Sequence, residues 1–325
     1  MSDIADVESQ MTGKYAVDAP TVSVVIATYN MAQYVSEAVQ SVLQQTFTDL
    51  EVHVIDDGSS DGTEAVIAPL LSDKRMFYHR QNNFGQTKAK NNGLKHCRGD
   101  FVGFCDADDV WLPHKIERQL QVLRADDDIG AVYTRNRMML QSGQPVQEKD
   151  DVGLYFSGWI TEELFKRNFI SFGTVLARRR CLEEFGGFNE SYRMGIDWDL
   201  WLRMSTRYKI EFLDEVTYLY RVWPGQMSNN WRGRYDHAFR IMEDFLREHG
   251  AAVSRAVVKE AYADSFTQRG RLRATFSGEY LAGLGDMLHA LRWKPDFMPA
   301  WKSILRIALL ALGGRNAKAG LRISP

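Results

Sequence analysis

The stretch TVSVVIATYN, residues 21–30, decides the fold class of this chain. Its first seven residues are mostly β-branched or apolar, which is the pattern of a strand buried on both faces of a parallel sheet. Similar runs recur along the first half of the chain and alternate with segments of helical spacing. This alternation predicts an α/β fold with a Rossmann-like, mostly parallel central sheet flanked by helices. The other predicted elements are strands at LEVHVID (50–56), MFYHR (76–80), DFVGFCD (100–106) and GAVYTR (130–135) and a helix between residues 86 and 96.

Polar clusters directly follow three of the predicted strands. ATYN ends the first strand, DDGSSDGT follows the second, and CDADD follows the strand at 100–106. In such a sheet the ligand crevice lies outside the carboxyl ends of the strands. An isolated Asp-rich turn usually serves only to turn the chain. Three polar clusters at the same sheet edge, however, predict a binding site at that edge.

The cluster CDADD places Asp106, Asp108 and Asp109 within four positions. Carboxylates this close repel one another, so holding them together costs free energy. A divalent cation would remove the repulsion, and Mg²⁺ typically takes one or two carboxylates together with substrate phosphates. The alternative is an Asp-rich turn before the next helix, and the cluster alone leaves both interpretations open. We expect Asp109 to cap that helix, whose first turn is predicted near Pro113.

A second acidic pair lies in the segment GIDWDLWLR, residues 195–203. Asp197 and Asp199 fall in the first turn of a predicted helix, where acids commonly interact with the helix macrodipole. The neighbouring Trp198 and Trp201 favour a further interpretation, because a carboxylate beside aromatic surfaces suits a sugar-binding cleft. Such a carboxylate can act as a general base on a hydroxyl.

Composition and charge narrow the classes of function. The chain has 325 residues, 45% hydrophobic residues and a formal net charge of -2, so no binding of nucleic acid is expected. Its three cysteines form no CxxC pair, which argues for a reducing compartment. Residues 1–19 lack the apolar core of a signal peptide and are expected to form a mobile arm. No apolar run of about 18 residues is present, so no membrane-spanning helix is expected.

The motifs VSVVIATYN, DDGSSDGT, NFGQTKAKNNGL, CDADDVW and GIDWDLWLR occur in this order. As an ordered set they resemble family 2 glycosyltransferases with the GT-A fold, and the resemblance covers roughly residues 20–225. It implies a GT-A domain at 20–228, with a nucleotide-binding half at 20–135 and an acceptor-binding half at 136–228. Residues 229–325 are expected to form a helical C-terminal region.

The resemblance implies roles for four residues in nucleotide binding. Thr28 and Tyr29 would line the nucleotide pocket, and Asp57 would form a hydrogen bond with the base. Lys90 stands where the family usually has Arg. Lysine keeps the positive charge but lacks the planar fork of a guanidinium group, so its contact with the donor differs from that of the family.

The resemblance also implies a metal site and a catalytic base. Asp106 and Asp108 would form the Asp-x-Asp element that binds Mn²⁺ or Mg²⁺, with Asp106 also near the ribose of the donor. Asp197 takes the place of the catalytic base. Ile196 stands where the family normally has the first acid of a Glu-Asp pair, and Trp223 stands where many relatives have His. Because Trp223 offers no ligand to a cation, Asp108 and the diphosphate of the donor would have to supply more of the cation's ligands.

These roles together predict an inverting glycosyltransferase of cell-surface polysaccharide synthesis. The expected donor is a nucleotide diphosphate sugar, with UDP as the expected nucleotide, and the expected acceptor is a glycan or a lipid-linked glycan. The expected location is the cytoplasm or, peripherally, the inner face of the cell membrane. Two alternatives remain open: a catalytically silent nucleotide- or glycan-binding protein on the same fold, and a nucleotidyltransferase.

The C-terminal segment 291–325 is basic and partly apolar. It carries seven basic side chains and one acidic residue, Asp296, and residues 301–312 show apolar positions at helical spacing. A basic helix with an apolar face can lie on an anionic membrane. Alternatively, the helix packs on the catalytic domain or on a second subunit of a homo-oligomer. The sequence favours packing, since most amphipathic helices face a protein core.

Overall fold

The computed structural model of the chain describes residues 19–146 and 153–312. All of the expected N-terminal arm except residue 19 therefore lies outside the described residues, as do the last thirteen positions of the basic C-terminal segment. The described residues form two compact units that interleave along the chain. The first comprises residues 19–146, Ser171–Glu190 and Glu211–Val222, and the second comprises residues 153–170, Ser191–Ile210 and residues 223–312. The expected nucleotide-binding and acceptor-binding halves are divisions by function and stay predictions.

One mixed sheet of eight strands forms the centre of the first unit. Its strand order is β3-β2-β1-β4-β7-β6-β8-β5. The strands are β1 (Val22–Thr28), β2 (Leu50–Asp56), β3 (Met76–Arg80), β4 (Phe101–Phe104), β5 (Val110–Trp111), β6 (Ile129–Leu140), β7 (Leu176–Arg178) and β8 (Lys209–Val222), of which β8 belongs to this unit from Glu211 onward.

The four strands β3, β2, β1 and β4 run parallel, and the other observed pairings, β4 with β7, β7 with β6 and β5 with β8, are antiparallel. Strand β2 is buried along its whole length, and β1 at all positions except Ala27, as expected for strands covered on both faces. Thr28 pairs with Asp56 in the register of β1 and β2, so both strands end at the same level. The predicted α/β class with a mostly parallel, helix-flanked sheet is confirmed.

The helices are short around the sheet and longer in the C-terminal part. They are α1 (Val35–Leu43), α2 (Thr63–Ile67), α3 (Gln86–His96), α4 (Lys115–Ala125), α5 (Thr161–Lys166), α6 (Arg179–Glu184), α7 (Ile196–Ser205), α8 (Trp231–His249), α9 (Arg255–Phe276), α10 (Tyr280–Trp293) and α11 (Met298–Leu312).

Close packing holds α3 against the sheet of the first unit. A side chain at Gly93 of α3 would stand 2.4 Å from Val25 Cγ1 of β1, so only glycine allows this approach. The apolar residues of β1 and β2 also form a core with α1 and α4. Helix α3, which carries Lys90, is thereby fixed beside the carboxyl ends of the parallel strands.

The second unit is helical and contains the four C-terminal helices α8 to α11, so the described part of the predicted region 229–325 is helical as expected. Its helices α9, α10 and α11 share a core of small and apolar side chains, among them Ala263, Met287 and Ile307. Gly270 of α9 and Gly283 of α10 meet backbone to backbone, because a Cβ on either would stand 2.8 Å from the carbonyl oxygen of the other. In the part of the chain that the structure describes, every helix is too short or too polar to cross a bilayer.

Candidate active site

A single asparagine ties together the loops that follow β1 and β2. The Asn30 backbone is left-handed, with φ of 53°, a conformation that Asn adopts more readily than most residues. Its N–H donates to Ser59 Oγ (2.8 Å), and its Oδ1 accepts from the Ser60 N–H (2.8 Å). The Ala32 N–H donates to Asp61 Oδ2 (2.9 Å). The two polar clusters therefore form one connected rim at the carboxyl edge of the sheet.

Asp57 organises the loop that leads into α3. The residue is 3% exposed, and its carboxylate accepts three hydrogen bonds. Oδ1 accepts from Gln81 Nε2 (2.8 Å) and the Phe84 N–H (2.9 Å), and Oδ2 accepts from the Gly85 N–H (2.8 Å). These donors satisfy a buried carboxylate that would otherwise be costly. The expected contact between Asp57 and a base stays a prediction.

Thr28 and Tyr29 differ in exposure at the end of β1. Thr28 is 3% exposed, and its Oγ1 is buried without a hydrogen-bond partner among the described residues. Buried polar atoms are usually paired, so this hydroxyl has unused hydrogen-bonding capacity at the end of β1. Tyr29 is 46% exposed, so its ring can receive a stacking partner. Both features fit the predicted nucleotide pocket, and neither establishes it.

Lys90 and Asp106 form an ion pair between α3 and the loop after β4. Lys90 Nζ lies 3.0 Å from Asp106 Oδ1 and donates to Gln86 Oε1 (3.3 Å). The ammonium also lies 4.0 Å from the centroid of the Phe172 ring. Lys90 is buried, whereas the Asp106 side chain is one-third exposed. The structure thus brings together two of the predicted donor-binding residues.

Residues 106–109 form a turn in which exposure alternates. The Asp109 N–H donates to the Asp106 carbonyl (3.1 Å), which closes the turn. Asp106 and Asp108 are partly exposed, while Ala107 and Asp109 are buried. The turn therefore exposes the side chains of Asp106 and Asp108 to solvent and buries those of Ala107 and Asp109 in the protein.

Asp109 does not cap the next helix, contrary to the expectation from the sequence. Helix α4 begins at Lys115 and has His114 at its N-cap. Instead, Asp109 Oδ2 accepts from the Tyr218 hydroxyl and Oδ1 accepts from the Arg221 N–H (2.7 Å) of β8. Burial raises the pKa of the Asp109 carboxyl well above its usual range, and the charges of Asp108 and Asp106 raise it further. The two hydrogen bonds from β8 oppose this rise in pKa.

Arg221 is a second anchor of the same turn. It is 2% exposed, and its Nε donates to the Asp108 carbonyl (2.6 Å). Its two terminal nitrogens reach the Gln141 carbonyl (3.0 Å) and Glu37 Oε2 (2.6 Å). The planar guanidinium group suits this role, because it serves several acceptors from one fixed fork. Together with Asp109, it fixes the backbone that carries Asp106 and Asp108.

Asp197 and Asp199 have different environments in the second unit. Both lie in the first turn of α7, after Gly195, whose φ is 68°. Asp197 is half-buried, and its Oδ2 accepts from Asn168 Nδ2 (3.1 Å). Asp199 is buried and forms an ion pair with Arg203 (2.7 Å). Burial raises the pKa of Asp199, although Arg203 opposes this. Asp199 therefore has a structural role, and Asp197 is the acid of the pair that solvent can reach.

The interpretation of Trp198 and Trp201 as cleft-lining aromatics is wrong. Both indoles are buried, and Trp198 Nε1 donates to the Leu164 carbonyl (2.7 Å). Ile196 is buried as well. The apolar side chains of α7 belong to the core of the second unit, which leaves Asp197 as the candidate for chemistry on this segment.

The carboxylates fit a divalent cation only together with a second source of oxygen ligands. Among residues 19–146 and 153–312, no group of three His, Cys, Asp or Glu side chains is arranged to hold a metal ion. Asp106 and Asp108 supply hard oxygen ligands, and their charges already raise the pKa of Asp109. Mg²⁺ and Mn²⁺ commonly complete such a two-carboxylate site with phosphate oxygens and water.

Comparison with known families identifies the family to which the chain belongs. The sequence profile described as "Glycosyl transferase family 2" matches residues 23–186, about half of the chain. The chain belongs to glycosyltransferase family 2. The match includes the rim loops, Lys90 and the Asp106–Asp109 turn, so the predicted family is confirmed.

A curated relative and two solved structures extend this assignment. This family 2 chain is 32% identical over 200 residues to chondroitin synthase of Escherichia coli, a match that covers 61% of the chain but 28% of the relative. TarS of S. aureus, residues 1–349, in complex with UDP-GlcNAc superimposes with a TM-score of 0.57 over 84% of this chain and 91% of that 1–349 chain, at 18% identity. A mannosyltransferase from Pyrobaculum calidifontis in complex with GDP-Man and Mn²⁺ gives a TM-score of 0.54 over 94% and 90%, at 20% identity. At these identities the two structures support the GT-A fold alone.

The residues that sequence reasoning missed in this family 2 chain are the anchors of the Asp106–Asp109 turn. Tyr218 and Arg221 lie more than one hundred positions further along the chain. One signal was present, because Arg221 interrupts the otherwise apolar strand YLYRVW. A cation within a buried strand is unusual unless it is paired.

Proposed function

We propose that this chain is an inverting glycosyltransferase that moves a sugar from a nucleotide diphosphate donor, with UDP as the nucleotide, to a hydroxyl of a glycan or lipid-linked glycan. The single observation that carries the proposal is the anchored turn at residues 106–109. It presents Asp106 and Asp108 at the carboxyl edge of a parallel sheet, beside the buried Lys90, in a chain of family 2. Structural neighbours that contain UDP-GlcNAc or GDP-Man support a donor of this class.

The donor-binding residues suit a nucleotide diphosphate. The exposed Tyr29 ring can stack on a base, and the Thr28 hydroxyl can bond a polar group beneath it. Asp57 Oδ2 accepts only from the Gly85 N–H among the recorded bonds of this oxygen, and a carboxylate oxygen can accept two donors. An N–H group of the base would supply the second donor. Lys90 provides the positive charge closest to Asp106.

The cation site is proposed for the same turn. Asp106 and Asp108 would hold Mn²⁺ or Mg²⁺, and the bound ion would neutralise the charge that develops on the departing diphosphate. The protein contributes rigidity, because Arg221 and the Asp109–Tyr218 pair fix the turn before the donor arrives. Pre-organised groups stabilise a transition state without the cost of reorganisation.

The acceptor-side chemistry is assigned to Asp197. The acceptor hydroxyl gives its proton to the Asp197 carboxylate as its oxygen attacks the anomeric carbon. The bond between that carbon and the diphosphate oxygen breaks on the opposite face, and the nucleoside diphosphate leaves. The hydrogen bond from Asn168 Nδ2 orients the carboxylate, which lies in the first turn of α7, where negative charge interacts favourably with the helix macrodipole. One displacement requires one base, and no second carboxylate has to act as a nucleophile.

The biological setting is inferred from the relatives. The similarity to chondroitin synthase supports a glycan acceptor and a role in polysaccharide synthesis, which we assign to the cell surface. A cytoplasmic location, peripheral to the inner membrane face, is consistent with a nucleotide-sugar donor.

An assay of nucleotide release tests the proposed function. The chain is incubated with Mn²⁺, a panel of nucleotide sugars and oligosaccharide acceptors, and the products are separated by chromatography. A thermal-shift screen first selects the donor, since a ligand that binds the folded state raises the melting temperature. We expect free nucleoside diphosphate and a glycosylated acceptor in equal amounts. Donor binding without release would indicate a silent binding protein, and pyrophosphate release would indicate a nucleotidyltransferase.

A further inference from the structure

Helix α11 (Met298–Leu312) is apolar on two opposite sides. One side faces α9 and α10 through the buried residues Ala300, Ser303 and Ile307. The opposite side is a stripe of exposed apolar side chains at helical spacing, which we call the outer stripe. Its members are Met298, Trp301, Leu305, Leu309 and Leu312.

The outer stripe is too apolar to be an ordinary helix surface. Leu305 is 65% exposed and Leu309 is 61% exposed. A helix that is hydrophobic all round is normally covered on all sides. Helix α10 also carries two exposed leucines, Leu281 and Leu288, which lie seven positions apart and so on the same side of that helix. Contiguous apolar patches of this kind mark sites of interaction with proteins or membranes.

Helix α11 itself carries only positive charges, and the exposed Asp296 lies in the turn before it. Lys302 and Arg306 lie next to Leu305 and Leu309 on one flank of α11, and Arg292 lies at the end of α10. Among the described residues, none of these three side chains makes an ion pair. The sequence of α11 contains no Asp or Glu. An apolar face with a cationic flank is the composition of helices that lie in the interface of an anionic bilayer.

We propose that the outer stripe docks on an anionic lipid surface, with α11 parallel to the plane of the membrane. The leucines and Met298 enter the acyl boundary, while Lys302 and Arg306 contact lipid phosphates. Trp301 suits the headgroup level, because its indole Nε1 donates to the Pro295 carbonyl (2.9 Å) and leaves an apolar ring face outside. This inference goes beyond the proposed sugar transfer and does not rest on it.

Charge complementarity favours lipid over a second copy of the chain. A two-fold, antiparallel pairing of outer stripes would place Lys302 and Arg306 of one copy against the same residues of its partner. Helix α11 offers no acid to balance them. An isologous interface uses the same surface twice, so it repeats any uncompensated charge. Anionic phosphates balance these charges directly.

Vesicle co-sedimentation with the full chain tests the proposal. The probes are vesicles of phosphatidylcholine and vesicles of phosphatidylcholine mixed with phosphatidylglycerol. We expect the chain to sediment with the anionic vesicles and to remain in solution with the neutral ones. Neutralising two charges at the surface, in Lys302→Gln/Arg306→Gln, is expected to weaken binding roughly 30-fold, at about fivefold per charge. The matched variant Arg255→Gln/Lys259→Gln removes two exposed charges of α9 and should bind as wild type.

A second pair of variants tests the apolar contact. Leu305→Ser/Leu309→Ser is expected to abolish sedimentation with anionic vesicles, whereas Leu140→Ser/Leu154→Ser, which alters two other exposed leucines, should not. All four positions are exposed, and unchanged thermal melts check that the variants fold. Turnover with a soluble acceptor should be unaffected, so a failure here is distinct from a failure of the proposed function. Equal sedimentation of the stripe variant and wild type would overturn the proposal. Light scattering measures the oligomeric state of both proteins. A dimeric wild type together with a monomeric Leu305→Ser/Leu309→Ser variant would also overturn the proposal, because the stripe would then be a dimer interface.

Discussion

The substitution Tyr218→Phe tests whether the Asp109 anchor holds the Asp106–Asp109 turn. Tyr218 is fully buried, and its ring lies directly over Gly173, where a Cβ would stand 2.1 Å from the ring. Phenylalanine keeps this ring and removes only the hydroxyl that donates to Asp109. The buried carboxylate then retains the Arg221 N–H as its recorded donor.

The expected loss of stability follows from that single hydrogen bond. A hydrogen bond to a charged group contributes about 1.5–3 kcal/mol. For a large domain this corresponds to a decrease of roughly 3–6 °C in melting temperature. Because burial raises the folded-state pKa of Asp109 above that of an unfolded Asp, ionisation of this carboxyl costs stability as the pH rises. Removal of the Tyr218 donor raises this pKa further. The loss of unfolding free energy in the variant should therefore grow with pH. It should rise from about 0.5–1.5 kcal/mol, the contribution of a neutral hydrogen bond, toward about 1.5–3 kcal/mol, that of a hydrogen bond to a charged group.

Thermal unfolding across pH, followed by steady-state kinetics, measures this prediction. We also expect kcat/KM for the donor to fall about tenfold, because a loosened turn no longer fixes Asp106 and Asp108. Tyr280→Phe is the control, since that partly buried hydroxyl has no hydrogen bond to any other residue within 19–146 and 153–312. The anchoring role is refuted if Tyr218→Phe unfolds within about 0.5 kcal/mol of wild type at every pH and retains its kcat/KM.

Three further perturbations address the ion pairs and the cation. Lys90→Gln removes the charge that pairs with Asp106 and should lower kcat/KM for the donor by about 10- to 100-fold, as expected for a charge-assisted hydrogen bond, whereas unchanged kinetics would exclude a contact between Lys90 and the donor. Removal of divalent cations with EDTA should abolish turnover and Mn²⁺ or Mg²⁺ should restore it; full turnover in EDTA would contradict a cation at Asp106 and Asp108. Burial alone raises the pKa of Glu51, but the neighbouring His53 ring, 3.3 Å away, and hydrogen bonds from Ser23 and Arg98 outweigh it and lower the pKa from 4.5 to about 2. The stability that ionised Glu51 contributes is therefore present above pH 4.5 and is lost as the pH falls toward 2. Glu51→Gln should lower the free energy of unfolding by roughly 3 kcal/mol at neutral pH and by progressively less in acid. A difference in stability that does not change with pH would refute this linkage.

The parallel half of the fold could be predicted because its signals are local. Strands 50–56 and 76–80 and the helix at 86–96 occur at the predicted residues, where apolar runs alternate with helical spacing. The antiparallel half was less predictable. The strand expected at 130–135 continues to Leu140, and the strand after it is only Leu176–Arg178, because Phe172–Thr174 before it form a 3₁₀ turn.

The candidate site shows the same division between local and distant determinants. The carboxylates at 106–109 lie within four consecutive residues, so their clustering is visible in the sequence and a binding role could be proposed from it. That Asp108 is partly exposed while Asp109 is buried depends on Tyr218 and Arg221, which only the folded chain brings near. The helical spacing of Trp198 and Trp201 was compatible with a position in a cleft or in a core. The packing of α7 buries both side chains in the core.

The turnover number of Asp197→Asn is the most direct test of the proposed transferase mechanism. A general base contributes about 10²- to 10⁴-fold, so we expect kcat to fall by that factor while the dissociation constant of the donor stays within about threefold of wild type. Asp199→Asn is the matched control: it breaks a buried ion pair with Arg203 and should lower the melting temperature with a smaller effect on kcat. Near-normal turnover of a folded Asp197→Asn enzyme would contradict the assignment of Asp197 as the base that activates the acceptor.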